Sequence, residues 1–256
     1  LQGRGQEVWL MGAFQEALIR GIAGLEVPPA ANSPTRSSDS LTRWQSILHS
    51  MTEGRLPDAL LTGLFEGCGY VKDGAVSEAG FRFLVQPPRL QVWSLLAHWL
   101  RQQLQSSASD AGGELISCFL TVSRGRPGTD YTALPTPVKR LLVSIGLIDA
   151  RHHGTDMLTV LQQCPAVTEA GARPFIIVET NYHLYAYGPS PLDLAVLGLF
   201  VAPKDRLPNL LRARITQDSV RAALRRGIPA DLLIAYLLAH SLRPLPPALQ
   251  DQLRLW

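Results

Sequence analysis

The sequence predicts an α+β fold, mostly helical, with tandem winged-helix domains followed by a small α/β unit. Three observations carry this expectation. Two stretches, residues 41–84 and 137–161, share one outline: helix, glycine stop, short apolar strand, glycine turn, second strand. A continuous β-branched and aromatic run, Phe175-Ile176-Ile177-Val178, then reads as a buried strand. Hydrophobic residues make up 46% of the chain against 18% charged, which is ample for cores and a poor match to disorder. At roughly one domain per 150 residues, the 256-residue length allows two compact domains or three smaller ones.

Taken in order, Val8 to Ile22 is apolar at helical spacing and stops at Gly21 to Gly24. A Ser/Thr/Pro-rich tract then runs to about Ser40 and reads as an exposed loop. Trp44, Ile47, Leu48 and Met51 fall at i, i+3, i+4 and i+7, one face of an amphipathic helix. A second helix through Leu60, Leu61, Leu64 and Phe65 ends at Gly67-Cys68-Gly69, where glycine supplies a left-handed cap. Tyr70 to Lys72 and Phe81 to Val85, around Asp73-Gly74, are expected as the strands of a small ribbon. Leu90 to Leu104 is apolar almost all round, so the helix is expected to be buried on several sides.

After a Ser/Gly linker at Ser106 to Gly113, helices are expected over Glu114 to Ser123 and Pro137 to Ile145. Leu147 to Ala150 and Met157 to Leu161, joined through His153-Gly154, make a second expected wing. Beyond Val178, Glu179-Thr180-Asn181 turns the chain into a strand from Tyr182 to Tyr187. Ser190 caps a helix with Pro191 in its first position and Asp193 near the positive end of its dipole. That helix is expected to run to about Ala202. Thr216 caps another that Gly227 closes, Pro229 opens one reaching about Ser241, and Ala248 to Trp256 begins a last.

The net charge of +3, from 24 basic against 21 acidic side chains, names no ligand; a charge-held nucleic-acid binder is usually more lopsided. Three scattered cysteines, Cys68, Cys118 and Cys164, suit a reducing compartment better than a disulfide-stapled secreted domain. The apolar stretches Leu194 to Ala202 and Leu232 to Ala239 fall far short of the roughly 18 residues needed to span a bilayer. Opening on Leu1 without a signal-like segment, the chain reads as a soluble intracellular fragment.

No catalytic constellation stands out. Gly63 to Gly69 lacks the Gly-Lys-Ser/Thr ending of a phosphate cradle, and Leu192 stands where a nucleophile elbow after Ser190 requires glycine. His152 and His153 are adjacent, so on a strand they point to opposite faces and do not converge on a metal. Arg124-Gly125-Arg126-Pro127 has the core of a minor-groove hook, but Ser123 and Asp130 flank it where further basic residues are needed. It is read as a linker. No cofactor, no metal and no membrane are expected.

The segment Pro174 to Gly188 is the most distinctive. Tyr182, Tyr185 and Tyr187 are three of the chain's six tyrosines within six positions. On a strand, Tyr182, Leu184 and Ala186 face one side, and His183, Tyr185 and Tyr187 the other. Tyrosine is enriched at the buried centres of interfaces, so the second side suits a partner; alternatively, a covering helix buries both sides. Glu179 and His183 at the turn are expected to be exposed.

The run from Phe175 through Glu179-Thr180-Asn181-Tyr182-His183 to Tyr187 resembles the signature stretch of the TFIIH core subunit family that anchors the XPB helicase. The similarity continues through Ala195 to Phe200, Arg206-Leu207-Pro208-Asn209, Ile215 to Val220, Gly227-Ile228 and Asp251 to Trp256. Upstream, Ser77 to Leu84 is similar to the end of that family's middle winged helix, and Gln91 to Trp99 to the helix after it. Coverage is fullest over 174–256, less over 41–105 and least over 106–165.

The resemblance implies a middle winged-helix domain with flanking helices at 1–105 and a third winged-helix domain at 106–170. It implies an XPB-binding clutch domain, with the start of a C-terminal linker helix, at 171–256. A first winged-helix domain is expected before Leu1, and after Trp256 a small domain that pairs with the smallest TFIIH subunit. By the same resemblance the chain is a non-catalytic nuclear scaffold that holds XPB and supports its ATPase in promoter opening and nucleotide-excision repair. Its implied partners are the XPB N-terminal region and other TFIIH core subunits, including the von Willebrand-fold subunit, with DNA contact indirect or weak. The residues expected to make the contact are Glu179, Asn181, Tyr182, His183, Tyr185 and Tyr187. Two departures stand out: His183 occupies a position where the family often has arginine, and a basic run is reduced to Arg151-His152-His153. A winged-helix DNA-binding transcription regulator, using the Arg124 to Pro127 loop and the wings, is the alternative.

Overall fold

The computed structural model describes residues 39–106, 109–162 and 173–256. The expected helix over Val8 to Ile22, the tract up to residue 38, and Cys164 lie outside them. Helix α1 (Asp39–Thr52) buries Trp44, Ile47, Leu48 and Met51, the face that their spacing predicts. Helix α2 (Ala59–Gly67) starts at Asp58, whose carboxylate accepts the Leu60 N–H at 2.9 Å. Strands β1 (Val71–Lys72) and β2 (Ala75–Val76) form an antiparallel hairpin. Asp73 and Gly74 take φ of +51° and +73° in its tight turn, the left-handed pair such a turn requires.

Two expected wing strands are helical instead. Residues 81–85 fall in helix α3 (Glu78–Leu84) and its cap. The Ser77 hydroxyl accepts the Gly80 N–H at 3.1 Å and donates to the Gly69 carbonyl at 2.6 Å, so a capped helix starts where extension was expected. Gly80 is needed here, because a Cβ would collide with the Tyr70 carbonyl. Likewise Met157 to Leu161 lies in helix α7 (Met157–Gln162), with Met157, Leu158 and Leu161 buried on one helical face. The second ribbon is reduced to isolated bridges, Ile148 with Gly154 and Asp130 with His153. A short apolar run fits either period, and burial against α4 (Pro88–Ser106) and α5 (Ser109–Arg124) decides for helix.

Helix α4 buries Val92, Leu95, Leu96, Trp99 and Leu100 around a fully buried amide, Gln91. Gln91 accepts the Trp44 indole N–H at 2.9 Å and donates to the Phe83 and Leu84 carbonyls at 3.1 and 3.0 Å. Satisfied in this way, a buried amide ties α1, α3 and α4 together at little cost. Helix α5 takes up residues 109–113, which were expected as linker. The two glycines there cost about 1 kcal/mol each relative to alanine, and burial of Phe119 and Val122 outweighs it. Helix α6 (Thr136–Ser144) follows and packs on α2.

Of the Arg124 to Pro127 segment, Arg124 ends helix α5, and Gly125 to Pro127 lead into a tethered turn rather than an extended strand. The Arg126 N–H donates to the Thr129 hydroxyl at 3.0 Å, and the Arg126 carbonyl accepts the Thr129 N–H at 3.0 Å. Gly128 donates to the Gly154 carbonyl at 2.7 Å, and the Gly154 N–H returns to Thr129 at 2.8 Å.

The C-terminal part is built on a four-stranded antiparallel sheet of β3 (Ile176–Val178), β4 (His183–Tyr187), β5 (Ala202–Leu207) and β6 (Leu210–Arg214), in the order β3-β4-β6-β5. Helix α8 (Pro191–Leu197) has a full capping box, with Ser190 and Asp193 bonded reciprocally at 3.2 and 2.8 Å. It stops at Gly198 rather than near Ala202, since Ala202 opens β5. Helices α9 (Gln217–Arg225), α10 (Ala230–His240) and α11 (Pro247–Leu255) follow, with Thr216 capping α9 as expected. Ile176, Val178, Leu184, Ala186, Leu211 and Ala213 point inward and join Leu197, Val220, Leu233, Leu237, Leu249 and Leu253 in the core.

That core is continuous with the N-terminal helices. Helix α1 lies against α8, and Phe81 sits 6.5 Å from Phe200 and 6.0 Å from Tyr236, ring centre to ring centre. Phe200 and Tyr236 are themselves 6.0 Å apart, edge to face. With its helical side packed in this way, the sheet turns its other face outward.

Candidate partner-binding face of the C-terminal sheet

Alternation along β4 decides what each residue does. Leu184 and Ala186 are fully buried, His183 and Tyr185 are half-buried, and Tyr187 is 45% exposed. Of the two readings of the tyrosine segment, burial of both sides does not extend to Tyr187 among the described residues, and Tyr185 is only half-buried. Cross-strand register places His183 opposite Arg214, Tyr185 opposite Arg212, and Tyr187 opposite Leu210. On the far side of β6, Ala202 pairs with Arg214, Asp205 with Arg212, and Leu207 with Leu210. The outer face thus has an apolar corner of Tyr187, Leu210 and Leu207, the last 53% exposed, and a charged remainder.

The charges are arranged in chains. Arg212 pairs with Asp205 at 3.2 Å. His183 lies between the Glu179 carboxylate, 3.9 Å from Nδ1, and the Lys204 ammonium, 3.5 Å from Nε2. His183, Tyr185, Lys204, Arg212 and Ala213 line a shallow dimple. All the charged members are solvent-exposed or nearly so, and such pairs contribute little to folding stability.

Four of the six expected contact residues share this face or its rim: Glu179, His183, Tyr185 and Tyr187. Asn181 is exposed in the same turn with its side chain engaged in closing it, and the Tyr182 ring turns to Trp256 instead. The Asn181 side chain accepts the His183 N–H at 3.0 Å, closing the turn. Tyr182 was expected on a strand, but it is the last residue of the loop, with φ at +67°. Its N–H donates to the Glu179 carbonyl at 3.0 Å, which makes the three-residue hairpin loop that needs one left-handed residue. The ring folds back onto Trp256, 5.5 Å away, within the same chain.

The sequence reading missed Lys204, Asp205, Leu207, Leu210, Arg212 and Arg214. A signal was present: Leu211, Ala213 and Ile215 alternate with Arg212 and Arg214, after the two-residue turn Pro208-Asn209. The edge strand β5 has Pro203, Lys204 and a register shift between Pro203 and Asp205, all of which oppose strand addition. The opposite edge is covered, since Ile176 accepts the Leu242 N–H at 2.8 Å. The face, not an edge, is what the sheet offers. Among the described residues no cluster of three or more His, Cys, Asp or Glu could hold a metal ion, and no helix is long and apolar enough to cross a membrane.

Comparison with known proteins bears on the same region. The General transcription and DNA repair factor IIH subunit TFB2 of Yarrowia lipolytica is 32% identical over 263 residues, covering 85% of this chain and 55% of the relative. The General transcription factor IIH subunit 4 of Dictyostelium discoideum is 28% identical, with 86% and 53% covered. The subunit TFB2 of Arabidopsis thaliana is 29% identical, with 72% and 45% covered. The chain thus spans about half the length of the relatives it matches. The family model described as Transcription factor Tfb2 matches residues 15–242, and so takes in the helical part and the sheet alike. On that match, the chain belongs to the Tfb2 family.

Proposed function

We propose that this chain is a non-catalytic scaffold subunit of the nuclear transcription and DNA repair factor TFIIH, and that the outer face of its C-terminal sheet docks the N-terminal region of the XPB helicase. By anchoring that motor, it supports the ATPase in promoter opening and nucleotide-excision repair. Other TFIIH core subunits, including the von Willebrand-fold subunit, dock elsewhere on the chain. In this reading residues 1–105 and 106–170 are winged-helix domains and residues 171–256 are the clutch domain.

One observation carries the proposal: β4 buries Leu184 and Ala186 while it leaves Tyr185 and Tyr187 on a face that none of the described elements covers. Aromatic side chains with a charged rim are what a protein interface is made of. The winged-helix DNA regulator has less support, because the Arg124 to Pro127 loop is tied into a turn by Thr129 and Gly154.

Co-purification of the chain with the XPB N-terminal region tests the reading. Glu179→Lys is expected to weaken the complex without changing the fold. Loss of one partner of a buried interfacial charge pair costs about 2–5 kcal/mol, roughly thirty-fold or more in affinity. Undiminished capture of XPB by Glu179→Lys would remove Glu179 from the contact surface. Undiminished capture by Tyr185→Ala and Tyr187→Ala as well would remove the face.

A further inference from the structure

The outer face has an imbalance of charge that sets a condition on whatever covers it. Lys204, Arg212 and Arg214 project there, and Asp205 is the only carboxylate among the strand residues of that face. Asp205 is already engaged by Arg212 at 3.2 Å, and Glu179 stands at the turn beside His183. Lys204 has a histidine nitrogen as its neighbour, and Arg214 makes no ion pair among the described residues. In the free chain water solvates these cations. A docked protein removes that water, and a cation buried without a counter-charge opposes association.

We infer that the dimple between Lys204 and Arg212 receives a carboxylate side chain of the docked protein, with an apolar side chain of the same partner against Tyr187, Leu210 and Leu207. The inference rests on the docking face proposed above and specifies its partner's chemistry. The dimple is lined by Lys204, Arg212, Tyr185, His183 and Ala213, so a carboxylate entering it lies among two basic side chains and an aromatic one. Arg214, two residues along β6 on the same face, adds to the positive field. A nucleic-acid phosphate would meet the same cations, but Asp205, Glu179 and the apolar corner share the surface and oppose a polyanion. The chemistry therefore favours an acidic protein segment.

Titration calorimetry of the whole chain with the XPB N-terminal region, at low and high salt, tests this. Lys204→Glu and Arg214→Glu are each expected to lower affinity roughly ten-fold or more, and Lys204→Gln and Arg214→Gln by less. The parent complex should weaken as salt rises. All these positions are exposed, and circular dichroism melting should confirm an unchanged fold. If Tyr185→Ala loses XPB while Lys204→Glu and Arg214→Glu bind like the parent, the carboxylate site is overturned and the docking face stands. If Tyr185→Ala, Tyr187→Ala and the charge reversals all bind like the parent, both fall. Salt-sensitive binding of duplex DNA that disappears in Lys204→Glu also overturns it, since the occupant would then be a phosphate.

Discussion

The ring of Tyr182 meets the indole of Trp256 edge-on, 5.5 Å between centres and at 61°, although the Tyr182 backbone is held in the left-handed region at φ +67°. A bulky residue there costs about 1–2 kcal/mol relative to its preferred backbone, and the contact with Trp256, just past α11, offsets part of that cost. The Tyr182 carbonyl also accepts the Ile215 N–H at 2.9 Å, which binds the hairpin loop to the end of β6. The turn that presents Glu179 and His183 is thus braced from beneath by the last helix.

A pair of substitutions separates backbone cost from ring contact. Tyr182→Ala loses the ring and keeps the unfavourable backbone, and should destabilise the chain by about 1–2 kcal/mol. Tyr182→Gly loses the same ring but relieves the backbone, and should be the more stable of the two by about 1 kcal/mol. Urea unfolding of both variants beside the parent checks the order. The reverse ranking would mean that the left-handed backbone is not a source of strain.

Tyr236 is buried between Phe81, Phe200 and His240, and its hydroxyl has no hydrogen-bond partner among the described residues. Burial holds its ionisation well above the ordinary phenol range. Removal of an unsatisfied buried hydroxyl relieves a desolvation penalty, so Tyr236→Phe should be neutral or stabilising by up to about 1 kcal/mol. Phe81→Ala, in contrast, empties the contact between α3 and the C-terminal helices and should cost about 3–5 kcal/mol. Thermal melts of the two variants should move in opposite directions, or only the second should move.

Asp58 both caps α2 and accepts a hydrogen bond from the Ser144 hydroxyl on α6. The Ser144 hydroxyl and, after it, the Leu60 amide hold the Asp58 carboxyl below its usual value of 3.8. A carboxyl lowered in the folded state adds stability that is present above its unfolded pKa and is lost as pH falls through the folded one. Asp58→Ala should cost about 1–2 kcal/mol at pH 7. The gap between parent and variant should narrow as the pH drops below about 4. Denaturant melts at pH 7 and pH 3 measure it, and a gap that stays constant would contradict the carboxylate's role.

Gly125 packs directly beneath the buried Tyr131 hydroxyl, where a Cβ would collide. Gly125→Ala should therefore cost about 1–3 kcal/mol through overpacking, although alanine in place of a glycine without a left-handed backbone ordinarily stabilises by restricting the unfolded chain. A scanning-calorimetry melt would show the loss, and an unchanged midpoint would place the glycine's role outside packing.

Where a local signal admits one period only, the sequence alone determined the outcome. Trp44, Ile47, Leu48 and Met51 declare their helical face within eight positions, and Ser190 with Asp193 declares a helix start within four. The same holds for the alternation of Leu184 and Ala186 with Tyr185 and Tyr187, which made the candidate face legible, and for the stretch from Phe175 to Tyr187, which pointed to the family. Tertiary structure decided what depends on residues far apart in the chain. Phe81 to Leu84 is helical because Ser77 bonds back to Gly69 and because Phe200 and Tyr236 bury Phe81. Tyr182, which alternation already sets on the side away from Tyr185 and Tyr187, finds its ring partner Trp256 only in the fold, and Lys204, Arg212 and Arg214 come to surround His183 only through strand register. Period and capping are properties of a few neighbouring residues, whereas register and burial are set by which distant surfaces exclude water together.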